Sequence, residues 1–305
     1  MKNIQRCIVC CMMLLMTIAC KKEDGITPEA VVPNPFYPDV SATDEHAQLC
    51  RNFYAETGCY LLLNDTLKHE YLGVDRYGNP LYSTELIDLT YSVTSSVQWK
   101  FEFNYSTNYQ RELRAVEILK NDILPSMDER YYPYSFLLVE SYCDYAYMIE
   151  EGDNIGYWSG PDSGEYYIGN RATVIAIGSL LKDKKALIKN LLRNLLEKQL
   201  TNSVLKDFYA PGLSYYSKDW MGEFTSLDDF YNRTGILAVK ELLFVGDEAW
   251  TYCVESNTAD LKKFLNPLLE GKEEAFRAEY ATYPIILEKF EILKQVIIDL
   301  GFSIH

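Results

Sequence analysis

The window Leu196-Glu197-Lys198-Gln199-Leu200 places a carboxylate in a setting where zinc chemistry is often built. A helix with histidines at i and i+4 aims two imidazoles at one metal ion, and a glutamate at i+1 acts as general base on the metal-bound water. Set against that pattern, this window has Glu197 directly after Leu196 and three places before Leu200, with leucine where histidine would be needed. Leucine has no lone pair, and one or two carboxylates elsewhere cannot supply the three-ligand, one-water arrangement that brings the water pKa to about 7. Burying the two leucines would instead stabilise the helix by roughly 1.5–3 kcal/mol each. Leucines at 191, 192, 195, 196 and 200 form an ordinary apolar stripe, so the window alone predicts an amphipathic helix.

Other chemistry is sparse. The three histidines, His46, His69 and His305, have no second histidine at i+4; His46 is expected on a surface helix and His69 in a polar loop. No G-x-S-x-G elbow, P-loop or G-x-G-x-x-G run is present. Asp153–Glu165 (DNIGYWSGPDSGE) has oxygen ligands and glycines but lacks the spaced acidic order of a calcium loop, and reads as an acidic loop. The 25 tyrosines and 4 tryptophans bunch as RYYPYS, YCDYAY, EYYIG and LSYYSKDW. A flat apolar ring with a polar handle suits stacking on sugars or packing on a protein, which makes Tyr215, Tyr216, Trp220 and Trp158 candidate binding aromatics. The other reading of these rings is core and rim.

The first nineteen residues read as a signal peptide. Lys2 and Arg6 precede the apolar run Cys7–Ile18, too short for a comfortable bilayer crossing, and Thr17-Ile18-Ala19-Cys20 follows. This ending resembles a bacterial lipobox, with Thr17 where leucine is usual, and implies cleavage before Cys20 and lipidation of its thiol. The tetrad Lys21-Lys22-Glu23-Asp24 behind it resembles the signal that sends Bacteroides-group lipoproteins to the outer face of the outer membrane. Residues 20–43, with Pro28, Pro33, Pro35 and Pro38, read as an extended tether, leaving 44–305 as the body, with a possible lobe break near 180.

Once Lys2 and Arg6 leave, 27 basic residues face 44 acidic ones, a net charge near −17. Nucleic acid and anionic lipid headgroups both need a positive surface, so neither is expected as a partner. Cys50, Cys59, Cys143 and Cys253 lack CxxC spacing; Cys50–Cys59 is the nearest pair for a disulfide, and free buried thiols are the alternative.

The elements that would position these residues follow from periodicity. The spacing predicts a helix over 44–57 closed by Gly58, a short buried strand at 59–63, and a turn-rich stretch over 64–83. Strands are expected at 86–93 and 98–105, a helix at 112–123 stopped by Pro125, and one strand within each of 135–148 and 166–179. Helices are expected at 182–203, 226–232, 235–254, 258–268, 272–280 and 283–300. A mixed first half and a helical second half indicate an α+β fold.

The order of these parts resembles the zinc-binding metallopeptidase lipoproteins of gut Bacteroides, a gluzincin-like family. The carrying segments are NDILPSMDERYYPYSFLLVES, EYYIGNRATVIAIG, the 196–200 helix, GILA at 235–238 followed by Asp247-Glu248-Ala249-Trp250, and the closing KFEILKQVIIDLGFSI. The resemblance implies a zincin-like mixed sheet, with Leu196 and Leu200 at the histidine positions, Glu197 at the base, and Asp247 or Glu248 at the third ligand. It implies a degenerate site that holds no zinc or other cofactor. The protein would be a catalytically inactive surface lipoprotein binding a glycan, a peptide or a partner lipoprotein in nutrient uptake. A hydrolase working through carboxylates, or an unrelated α+β binding lipoprotein, are the alternatives.

Overall fold

A computed structural model describes residues 34–38, 40–90, 99–149, 156–216, 224, 226–243 and 250–303. The chain divides into two units, Met1–Pro35 and Phe36–His305. Only Asn34 and Pro35 of the first are described, and every element below belongs to the second.

Asp44 opens the first helix, α1 (Glu45–Thr57), by accepting the Ala47 N–H at 2.9 Å, and Gly58 closes it at φ 73°. Strand β1 (Tyr60–Leu62) follows. The stretch expected to be turns is instead a hairpin, β2 (Thr66–Val74) against β3 (Pro80–Leu86). Only its tip is turn: the Asp75 carboxylate accepts the N–H groups of Tyr77 and Asn79, and Gly78 takes φ 84°. His69 therefore lies on a strand, not in a loop. Strand 86–93 is also corrected, because Leu86 ends β3, residues 87–90 form no strand, and 91–93 lie outside the described residues.

Strand β4 (Trp99–Asn104) leads to α2 (Tyr109–Ile118), capped by Asn108 and prolonged by a π turn (Leu119–Ile123) and a 3-10 turn (Leu124–Ser126) containing Pro125. The expected single strand within 135–148 is two, β5 (Ser135–Val139) and β6 (Ser141–Ile149), separated by Glu140 and placed in different sheets. Strand β7 (Gly156–Gly164) occupies most of the expected acidic loop. The expected strand within 166–179 divides into β8 (Tyr166–Ile168), β9 (Thr173–Ala176) and the start of helix α3 (Ile177–Lys182).

After Asp183 come α4 (Lys184–Gln199), α5 (Lys206–Tyr209) and α6 (Leu227–Thr234). The expected helix over 235–254 is an antiparallel pair, β10 (Val239–Leu243) and β11 (Trp250–Val254). Gly246-Asp247 is a turn signal between two short runs, and Trp250, Tyr252 and Val254 favour a pleated backbone over a helix. Helices α7 (Asn257–Leu269), α8 (Glu273–Glu279) and α9 (Pro284–Asp299) complete the described chain.

The fold is mixed α+β. The main sheet has the order β1-β5-β9-β8, with β1, β5 and β9 parallel and β8 antiparallel at the edge. A second sheet, β4-β6-β7, is antiparallel. All five residues of β5 are buried, and its alternation sorts them. Phe136 and Leu138, with Ile175 of β9, face the large helical core containing Phe53, Leu191, Phe264 and Phe290. Leu137 and Val139, with Val174 and Ala176, face a smaller core under Leu62, Leu67 and Tyr142. No helix among the described residues is long and apolar enough to cross a membrane.

Candidate functional site

Asp183 caps α4 by accepting the Ala186 N–H at 3.0 Å, and the helix then buries Leu187, Leu191, Leu195 and Leu196 against the sheet. Leu196 is 1% exposed and Leu200, the C-cap, is 7% exposed; both belong to the large helical core. The Leu200 N–H donates to the Leu196 carbonyl at 3.2 Å, so the two residues bound one helical turn. Glu197, next along, is half-buried and lines a cleft of about 450 Å³ with Tyr166, Tyr167, Ile168, Asn194 and Lys198.

The opposite wall of that cleft is the edge strand. The Gly169 N–H donates to Ala172 and the Ala176 N–H donates to Glu165, so positions 165 and 169 face β9 while Tyr166 and Ile168 turn their backbone outward. An outward strand edge is an open row of donors and acceptors. Helix α4 occupies part of it. Lys198 Nζ donates to the Ile168 carbonyl at 3.0 Å, and Asn194 Nδ2 donates to the Tyr166 hydroxyl at 2.6 Å. Burial pushes the Lys198 ammonium below the usual lysine range. The Tyr166 phenol is pushed up, first by burial and then by the nearby Glu165 and Glu197 carboxylates.

This arrangement can hydrogen-bond and pair charge, and among the described residues lining the cleft Glu197 has no imidazole beside it. Asp247 and Glu248, the expected third-ligand positions, lie outside the described residues. Among the described residues no group of three or more His, Cys, Asp or Glu side chains is placed to hold a metal ion. The donor set at 196 and 200 does not fit zinc, because two hydrocarbon side chains packed in a dry core have nothing to coordinate with. No family model, curated protein or solved structure matches the chain.

The other candidates scatter. His46 lies on α1 with Nε2 3.0 Å from the buried Glu112 carboxylate, and His69 stacks on Tyr82 with Nδ1 2.8 Å from the Thr84 hydroxyl. Cys50 and Cys59 carry free, buried thiols and Cys143 a free, half-buried one. Burial pushes Cys50 up to about 12 and Cys59 up to about 11. The side chain of Cys253, and Cys20, Trp220, His305 and Asp153, lie outside the description.

Among the described residues, the expected binding aromatics have separate packing partners. Tyr215 packs on Phe224, and Tyr216 turns its hydroxyl inward to Asp260 at 2.6 Å. Trp158 is exposed on β7 beside Tyr147. Sequence reasoning missed the exposed rings of Tyr71 and Tyr82 on the β2-β3 hairpin, which the pairing register places directly opposite each other. The alternation of His69 and Tyr71 across from Tyr82 and Thr84 was the available signal.

Proposed function

We propose that this protein is a zincin-like scaffold without its metal, carried as a lipoprotein through Cys20 on the outer face of an outer membrane, with a binding role in nutrient uptake. One observation carries the reading. Helix α4 runs along an antiparallel edge strand of a mixed sheet, and the two positions on its turn that would hold imidazoles are core leucines, while Glu197 between them lines the cleft. An edge strand beside a helix bearing the H-E-x-x-H positions is the arrangement the resemblance implies. Lys198 and Asn194 engage that edge, which favours a ligand surface elsewhere on the body. The exposed rings of Tyr71, Tyr82, Tyr157 and Trp158 suit a glycan, a peptide or a partner lipoprotein.

Two measurements on the purified full chain test this. Elemental analysis after dialysis should give no stoichiometric transition metal, and a Glu197→Gln variant should match the parent against peptide and glycan substrates. A stoichiometric metal, or hydrolysis abolished by Glu197→Gln, would overturn the proposal. Labelling with radioactive palmitate should mark the parent and not Cys20→Ala.

A further inference from the structure

Among the described residues, the least accessible ionisable groups lie far from the cleft in sequence. Lys289 on α9 and Asp260 in the first turn of α7 are both 0% exposed, and Lys289 Nζ is 2.7 Å from Asp260 Oδ2. Phe208 and Phe264 close over the amine, with ring centroids 4.5 and 4.7 Å from Nζ. Asp260 Oδ1 accepts two backbone N–H groups, from Leu237 at 2.6 Å and Ala238 at 3.3 Å. The Tyr216 hydroxyl bridges the pair, 2.6 Å from Oδ2 and 3.0 Å from Nζ. The Gly235 carbonyl takes the remaining proton of the amine at 2.9 Å.

These contacts satisfy an ion pair, and they also meet the requirements of amide formation. The reacting carboxyl and amine are held in contact, and such orientation converts a bimolecular condensation into one with an effective molarity of roughly 10⁵–10⁸ M. Two backbone N–H groups on Oδ1 stand where an oxyanion would develop. Tyr216 touches both the attacking nitrogen and the departing oxygen. Burial pushes the lysine below its usual range, against the pull of Asp260.

We propose that Lys289 and Asp260 condense into an intramolecular isopeptide bond joining α9 to α7. The Nζ lone pair forms a bond to Cγ of Asp260, the Cγ–Oδ2 bond breaks, and the oxygen leaves as water with two of the three ammonium protons, relayed through Tyr216. No oxidant, reductant or co-reactant is needed. The product leaves none of the amide's own groups unpaired: its N–H keeps the Gly235 carbonyl, and its C=O keeps the Leu237 and Ala238 N–H groups. Two buried charges disappear, which removes a desolvation cost that an ion pair recovers only in part.

Peptide mapping of the full chain, denatured after folding and then digested, decides the matter. The expected result is a branched peptide containing residues 260 and 289, lighter by one water than the sum of its parts. Lys289→Arg should give only linear peptides, and Tyr216→Phe should hold a smaller branched fraction than the parent when both are denatured and digested at the same early time after synthesis. Linear peptides alone from the parent, at full mass, would overturn the proposal, as would a branched species persisting in Lys289→Arg. Because the parent digest answers by itself, a variant that fails to fold does not block the test.

Discussion

Replacing Leu196 and Leu200 with histidine together tests both the burial and the ligand geometry inferred for α4. Each leucine is almost wholly enclosed, so its loss removes roughly 1.5–3 kcal/mol of apolar burial. Each imidazole brings polar nitrogens into a cluster of hydrocarbon, at about 1–3 kcal/mol for each group left unpaired. The double variant should therefore lose about 5 kcal/mol or more, comparable to the whole stability of many domains. Zinc should return part of this if the two positions and Glu197 keep the turn geometry, since a ligand at a hundred times its Kd stabilises by about 2.7 kcal/mol. The assay is urea unfolding followed by circular dichroism, in chelator and in graded zinc, with each single substitution as control. An unchanged midpoint for Leu196→His in chelator would refute the dry-core assignment. A double variant whose midpoint responds to zinc no more than the single variants would refute the ligand-position reasoning.

Lys289→Met should cost at least about 3–5 kcal/mol in the same unfolding assay, because it strands a buried carboxylate and also removes the amine the proposed cross-link needs. Gly235→Ala should cost more than about 1 kcal/mol, since Gly235 holds φ 63° and an added Cβ would come within 2.6 Å of Ile285. Stability should fall as pH rises above 9: Cys50 and Cys59 keep their protons to about 12 and 11 in the folded state, while the unfolded thiols lose theirs near 9. Substituting both with alanine should flatten that decline, read as the urea midpoint against pH. Iodoacetamide at pH 8 should mark Cys143 well before Cys50 or Cys59, read by peptide mapping.

Several helices were legible because their signals are local. Asp44, Gly58 and Pro125 act on their own turns, and the apolar spacing after Asn257 and Pro284 survives folding unchanged. The β half was read less well because strand identity is settled by partners distant in sequence. One strand was expected within Ser135–Met148, yet the stretch holds two, β5 pairing with β9 and β6 with β4, which a single sequence does not announce. The 235–254 stretch had enough leucine and valine for either period. At the candidate site, leucine at 196 and 200 was plain from residue types, and their place on an apolar stripe foretold their burial. The inward turn of Tyr216 was not, because it depends on Asp260 and Lys289, each many residues away.

Glu140 connects the two sheets through a single residue. Its N–H donates to Asn104 on the second sheet, its carbonyl accepts the Gly178 N–H of α3, and its carboxylate is gripped by Arg111 at 2.7 and 3.1 Å. Side-chain direction alternates with a period of two, so a one-residue insertion or deletion at this joint would exchange the faces of β6 relative to β5. Tyr142, now packed inward beside Phe101 and Phe103, would be turned to water, and Cys143 after a deletion, or Ser141 after an insertion, would take its place. The segment around Glu140 thus absorbs a change of length poorly, whereas the tip of the β2-β3 hairpin, exposed and remote from both cores, can absorb one freely.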